Sequence, residues 1–93
     1  MGKLVRDRIP ELFGGTVRPM NVQEFRSALR AKVQEEVGKY LDSGEVIELA
    51  DVLEVVYALA ELDGVSPGEL EALRAHKAEE RGGFGARLWW DRA

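Results

Sequence analysis

Residues 45–60, EVIELADVLEVVYALA, constrain the fold of this chain more than any other stretch. Eleven of these sixteen residues are Ala, Val, Ile or Leu, yet an acidic residue recurs at every third position. The four acids are Glu45, Glu48, Asp51 and Glu54. Carboxylates are costly to bury unless a cation or a hydrogen-bond donor meets them. The segment is therefore expected to pack in an interior and to bring its acids to a positive partner.

The apolar spacing that precedes this segment predicts an amphipathic helix from about Asn21 to about Leu41. Asn21 is a good N-cap, and Glu24 stands at the capping-box position three residues later. Apolar residues then recur at spacings of three and four, as one face of a helix requires. They are Val22, Phe25, Leu29, Val33, Val37 and Tyr40. The preceding segment FGGTVRPMN holds two glycines and a proline and predicts a connecting loop.

Two further helices follow. The acidic apolar segment predicts a helix from about Glu45 to Leu62, with Gly64 as a left-handed residue after its end. A third helix is expected after Ser66, which caps it, with Pro67 in its first turn and an end at the glycine pair 82–83. No segment shows the period-two alternation of a strand. The sequence predicts an all-α chain.

The middle helix is apolar around most of its circumference, which indicates neighbours on more than one side. Two other helices of a 93-residue chain have difficulty covering it. We therefore predict one domain, residues 1–93, that forms an antiparallel helical bundle completed by dimerisation, in the manner of a four-helix bundle.

Composition excludes several classes of function. The net charge of −4 gives no electrostatic reason to expect nucleic acid or an anionic membrane as partner. The absence of cysteine excludes disulfides, zinc–thiolate sites and thiol catalysis, and it is consistent with a cytoplasmic location. The apolar run of residues 46–62 is too short and too acidic to cross a bilayer.

The acids of the first two predicted helices are expected to converge. Glu48 and Asp51 are three residues apart and share a helix face. Glu36 lies beside Val33 and Val37 on the preceding helix, and a short loop packs the two helices antiparallel. Either Lys and Arg neutralise such a cluster, or a hard cation such as Mg²⁺ or Mn²⁺ does. For any single acid, solvated surface charge is the default interpretation.

Three ordered stretches carry a family resemblance: KLVRDRIPE at 3–11, EEVGKY at 35–40 with ELADVLEVVYALA at 48–60, and KAEERGGF at 77–84. Together they span nearly the full chain. They resemble the MazG-like all-α nucleoside triphosphate pyrophosphohydrolases, and more narrowly the small, single-domain, phosphoribosyl-ATP pyrophosphohydrolase-like branch. The resemblance implies Mg²⁺-dependent hydrolysis of the α–β phosphate bond of a nucleotide, which yields a nucleoside monophosphate and pyrophosphate.

The resemblance also implies roles for individual acids. Glu36, Glu48 and Asp51 match motif positions that hold the metal ion, and Glu35 is the candidate for orienting or deprotonating the attacking water. The motif places a further glutamate at position 39, where this chain has Lys39. That lysine is expected to contact a phosphate, to pair with Glu35 four residues earlier, or to replace a cation in a chain that no longer catalyses.

Basic residues should complete a phosphate-binding site. The resemblance points to Lys3, Arg6, Lys77 and Arg81, and Arg suits bidentate phosphate contact. For all four the alternative is ordinary surface charge. For Arg6 the alternative is a salt bridge to Asp7 or Glu11.

Three rival interpretations stay open. The first is a non-catalytic helical dimer that acts in protein association because Lys39 breaks the metal site. The second is a di-iron or di-manganese bundle, but that class uses Glu-x-x-His pairs, and Leu73 stands three residues before the single histidine, His76. The third is a phosphoribosyl-ATP pyrophosphohydrolase of histidine synthesis.

Overall fold

A computed structural model describes residues 2–91 of the chain, and this part is helical without any strand. The helices are α1 (Ile9–Phe13), α2 (Val22–Ser43), α3 (Val46–Leu62) and α4 (Pro67–Arg81). The all-α prediction is confirmed for these residues. Position 1 and positions 92–93 of the predicted domain 1–93 lie outside the described residues.

The predicted capping signals start α2 and α4. The Asn21 side chain accepts a hydrogen bond from the backbone N–H of Glu24 at 2.8 Å, and the Glu24 carboxylate accepts one from the Asn21 N–H at 3.2 Å. Ser66 and Glu69 make the same reciprocal pair at the start of α4. Each box satisfies two N–H groups that a helix start leaves without an intrahelical partner.

Helix α2 ends slightly later than its apolar spacing predicts. It continues to Ser43 rather than Leu41, and Gly44 then adopts a left-handed conformation with φ of 68°. Glycine tolerates this conformation because it has no Cβ. The connection to α3 is consequently only two residues long, which holds the two helices side by side.

The short helix α1 was not predicted from the sequence. Pro10 lies in its first turn, where the missing proline N–H has no intrahelical acceptor to lose. Five residues are too few to show a periodic apolar pattern, so spacing does not predict this helix. The predicted loop follows α1, with Gly14 and Gly15 both at positive φ.

Helix α2 packs along α3, and α4 contacts α3. Arg26, early in α2, pairs with Asp63, just after α3, at 3.0 Å. The hydrophobic side chains buried between these helices in the described part of the chain are Leu29 of α2, 4% exposed, and Val55 of α3, 9% exposed. This is a small core for a chain of this length.

Much of the apolar surface of α3 remains uncovered by the chain itself. Val46, Ile47, Leu49 and Leu53 are all exposed, and Leu53 has an exposed fraction of 46%. The radius of gyration is 16.8 Å, whereas a compact domain of this length has about 12 Å. The described chain is thus extended, and it leaves apolar faces available for contact.

The C-terminal tail also carries exposed apolar residues. The sequence predicts that Trp89 and Trp90 pack against the body of the chain or against a partner subunit. Trp89 is 85% exposed in the single chain, so its packing against a partner stays a prediction. In residues 2–91, no helix combines the length and apolar composition that a bilayer crossing demands.

Candidate metal centre

One carboxylate oxygen from each of Glu36, Glu48 and Asp51 lies within 4.8 Å of the other two. Helical periodicity explains why these acids meet. Glu36 follows the buried Leu29 by seven residues, and Glu48 precedes the buried Val55 by seven, so each acid shares the face of a core residue two turns away. The packing of α2 on α3 therefore carries the acids into the same seam.

Glu36 is the most buried acid in the described chain, with an exposed fraction of 5%. Its Oε1 atom accepts a hydrogen bond from Lys39 Nζ at 3.3 Å, and Lys32 Nζ lies 3.6 Å from the same oxygen. Its Oε2 atom is buried and has no hydrogen-bond partner among residues 2–91. A buried, unpaired carboxylate oxygen is costly. Oε2 is consequently the atom that Glu36 has left for a further cation.

Two lysines of α2 surround the neighbouring Glu35. Lys32 Nζ lies 3.3 Å and Lys39 Nζ 3.4 Å from Glu35 Oε1. The predicted pairing of Lys39 with Glu35 is therefore confirmed, and Lys39 contacts Glu36 as well. The sequence reasoning overlooked Lys32, although its spacing of three and four residues from the two glutamates is the signal that places it on their face.

These contacts shift the pKa values of both partners toward the charged forms. The hydrogen bond from Lys32, with a smaller contribution from Lys39, lowers the pKa of Glu35 below its usual range. The carboxylate of Glu36, and then that of Glu35, raises the pKa of Lys39. Glu35 is therefore ionised at neutral pH but a weak base. It suits the orientation of a water molecule better than proton abstraction, for which a pKa near the working pH is best.

The N-terminal segment supplies a cation from outside the helix pair. Arg6 Nη2 lies 2.7 Å from Asp51 Oδ1, so Arg6 pairs with the acidic cluster rather than with Asp7 or Glu11. Both side chains are partly exposed. Arg6, Lys32, Glu36 and Asp51 line one cleft of about 700 Å³ between the N-terminal segment and the α2–α3 pair. The cleft thus combines acids that suit a metal ion with basic groups that suit phosphate.

The other predicted substrate-binding residues lie elsewhere. Lys3 lines a second cleft, which the N-terminal segment forms with residues 14–20. Lys77 and Arg81 are exposed on α4 and line neither cleft. The structure therefore joins Arg6 to the acids but not Lys3, Lys77 or Arg81, whose binding of substrate stays a prediction.

The donor set of the cluster is made of oxygen atoms alone. Its three members are carboxylates, whereas His76 lies exposed on α4 and pairs with Glu80 at 3.1 Å. Oxygen-only donor sets suit Mg²⁺ and Mn²⁺ rather than metals that prefer imidazole or thiolate. Within residues 2–91 the Oε2 atom of Glu36 is buried without a donor, which is the one feature of these residues that a bound cation would satisfy.

Comparisons with protein-family models, with curated proteins and with solved structures find no match to this chain. The resemblance to the MazG-like pyrophosphohydrolases rests on the motif residues given above.

Proposed function

We propose that this chain is a nucleoside triphosphate pyrophosphohydrolase that depends on Mg²⁺ and cleaves the α–β phosphate bond. The observation that carries the proposal is the buried Glu36. Its Oε2 atom has no hydrogen-bond partner among residues 2–91, and one of its two oxygens lies within 4.8 Å of oxygens of Glu48 and Asp51. Three acids at this separation repel one another strongly unless a cation joins them. A divalent ion that also binds phosphate oxygens meets that need.

The charged residues of the acidic cluster and of the adjoining cleft have separate roles in this proposal. Glu36, Glu48 and Asp51 would hold Mg²⁺, which when bound offsets negative charge on the phosphate groups. Glu35 accepts a hydrogen bond from the attacking water and orients it. Arg6 and Lys32 bind phosphate oxygens, Arg6 as a bidentate donor and Lys32 as a compact charge. The choice of the α–β bond rests on the resemblance.

A homodimer belongs to the same proposal. The exposed apolar residues of α3 and the large radius of gyration support a second copy of the chain as the cover for these faces. In that assembly α2 and α3 of each copy would form half of an antiparallel four-helix bundle.

The contacts of Lys39 favour one second candidate. Lys39 and Lys32 neutralise Glu35 and Glu36, and Arg6 neutralises Asp51. A site whose acids are largely balanced by its own cations has less need of a metal ion. A helical dimer of the same fold that acts in protein association would retain these pairs and lack hydrolysis.

A pyrophosphate-release assay separates the two candidates. Purified chain is incubated with each of the common ribonucleoside and deoxyribonucleoside triphosphates in Mg²⁺, in Mn²⁺ or in EDTA. Phosphorus NMR identifies the products as monophosphate with pyrophosphate or as diphosphate with phosphate. The pyrophosphohydrolase releases pyrophosphate only with a divalent ion.

The decisive variant is Asp51→Asn, which keeps the shape of the side chain and removes its charge. We expect it to lower the rate by more than about 100-fold. Losing a residue that only hydrogen-bonds to a metal ligand lowers activity by about 10- to 100-fold, whereas Asp51 is itself a proposed ligand. Asp42→Asn, an exposed aspartate near the end of α2 and outside the cluster, is the matched control and should retain the wild-type rate. Absence of release with every nucleotide and either metal ion would reject the enzyme in favour of the association protein.

A further inference from the structure

The carboxylates of the site fall on two sides of the buried Glu36. On one side lie Glu48 and Asp51 of α3. On the other side lies Glu35, the neighbour of Glu36 on α2, together with both lysines. Glu36 belongs to both sides, because its Oε1 atom accepts from Lys39 and one of its carboxylate oxygens lies within 4.8 Å of oxygens of Glu48 and Asp51. Its Oε2 atom has no donor in the described chain.

The lysine side already holds cations at contact distance from two carboxylates. Lys39 Nζ is 3.3 Å from Glu36 Oε1 and 3.4 Å from Glu35 Oε1. Lys32 Nζ approaches the same two oxygens at 3.6 and 3.3 Å. Two ammonium groups therefore share one pair of carboxylate oxygens.

A divalent ion cannot join these oxygens without displacing a lysine. A divalent ion bound to these oxygens would lie about 2.1 Å from each of them, closer than the two ammonium groups now lie. The positive ion and the ammonium groups would then repel one another by several kcal/mol. The charge balance agrees with this geometry. Four carboxylates against two ammonium groups and the guanidinium group of Arg6 leave one negative charge, which a single divalent ion already exceeds.

We infer that Lys39 is a resident cation which, with Lys32, fills the α2 side of the site and limits each chain to one divalent ion. This inference rests on the proposed metal site of Glu36, Glu48 and Asp51. It assigns Lys39 a positioning role, because the lysine holds Oε1 of Glu36 and so leaves Oε2 for the metal ion. Lys39 is thus part of a working site rather than the mark of a decayed one.

Metal binding measured without nucleotide tests the inference directly. Mn²⁺ is titrated into the purified chain, and the free ion is followed by electron paramagnetic resonance. The wild-type chain should bind one Mn²⁺ per chain. Lys39→Glu, which exchanges the ammonium group for a carboxylate, should bind two.

Lys39→Met provides a second variant that removes the charge without adding a ligand. It should still bind one Mn²⁺, about three to ten times more tightly than the wild type, because one repelling charge near the ion is gone. Arg30→Met, which removes a charge from an exposed position of α2 outside the cluster, is the matched control and should bind as the wild type does. Circular dichroism checks that each variant keeps its helices.

Two Mn²⁺ ions on the wild-type chain, no Mn²⁺ at all, or one ion on a folded Lys39→Glu variant would each overturn the inference. If Lys39→Glu fails to fold, an unchanged affinity in Lys39→Met overturns it. Failure of the proposed function gives a different result. One Mn²⁺ on the wild type, two on Lys39→Glu and no pyrophosphate release from any nucleotide would reject the hydrolase and support the one-ion site.

Discussion

Helices α2 and α3 supply acids to the same cluster, yet they balance those acids in different ways. Glu35 and Glu36 of α2 are each paired with Lys32 and Lys39, which lie one turn away on the same helix. Helix α3 contains no lysine or arginine. The cation on Asp51 is Arg6, from a segment 45 residues earlier in the chain.

The same contrast holds for apolar contacts. Helix α2 exposes apolar residues near its ends, Val22 and Leu41, but most of its remaining surface is polar. Helix α3 is apolar around most of its circumference and stays exposed at Ile47, Leu49 and Leu53. Helix α3 therefore has no cation of its own for its acids, and the described chain leaves much of its apolar surface uncovered. The ion pairs of α2 can thus be explained from its own sequence, whereas those of α3 cannot.

The largest expected effect comes from the exposed face of α3. Leu53→Glu places a charge on this face. We expect it to raise the dissociation constant of the proposed dimer by more than about 100-fold. Each buried leucine contributes about 1.5–3 kcal/mol, and a symmetric dimer buries two copies of Leu53. Light scattering coupled to size-exclusion chromatography measures the change from the mass of two chains to that of one.

Val22→Glu is the matched control for this substitution. Val22 is similarly exposed but lies in the first turn of α2, where an acid is favourable. It should leave the dimer intact. A wild-type chain that elutes as a monomer at all concentrations would remove the contrast in apolar contacts, because α3 would then need no second copy.

An intermediate effect is expected at Glu36, where the two helices meet. Carboxylates about 4.8 Å apart repel by about 3 kcal/mol at an effective dielectric constant of about 20, and the amide of Gln offers a donor to Glu48 and Asp51 instead. Glu36→Gln should therefore raise the free energy of unfolding in EDTA by about 1 kcal/mol. Urea denaturation measures this change.

The same variant should lose the stabilisation that Mg²⁺ confers on the wild type, because a bound ion stabilises only the state that binds it. Glu35→Gln is the control. Its lysine partners lower the pKa of Glu35, so the ionised carboxylate is favourable to folding and its removal should not stabilise the chain. A Glu36→Gln variant that is less stable than the wild type in EDTA would indicate that the lysines already compensate this acid fully.

The smallest effect is expected at Arg6. Its pair with Asp51 is exposed, and such pairs contribute about 0.2–1 kcal/mol to stability. Arg6→Met should lower the free energy of unfolding by no more than that amount, while Mn²⁺ binding becomes several-fold tighter because a competing cation leaves Asp51. Arg18→Met, which removes an exposed pair with Glu24 far from the cluster, should change stability to a similar extent and metal affinity not at all. Equal metal affinity in both variants would contradict a role for Arg6 at the cluster.

The helices were predictable because their signals are local. Asn21 with Glu24 and Ser66 with Glu69 are capping boxes that can be recognised from spacing alone, and the structure contains both. Helix α1 was not predicted because a five-residue helix is too short to show an apolar periodicity. The convergence of Glu36 with Glu48 and Asp51 was predictable for a related reason, since each acid occupies a helix face that apolar neighbours bury.

Contacts between segments far apart in sequence were not predictable in the same way. Nothing in the spacing of residues 3–11 indicates that Arg6 reaches Asp51 rather than Glu11 or a phosphate. Lys77 and Arg81 resemble motif residues just as Arg6 does, yet α4 keeps them away from the acidic cleft. Resemblance to a motif residue therefore does not determine where that residue lies in the folded chain.

The order of helices, their caps and the faces that carry the acids follow from the sequence, because hydrogen bonds and side-chain contacts within a few residues decide them. Tertiary structure alone decided that the Oε2 atom of Glu36 is buried and, among residues 2–91, has no donor. It also decided which cation reaches Asp51 and how much of α3 stays uncovered. These properties depend on the packing of segments that are distant along the chain, and no local rule of spacing contains that information.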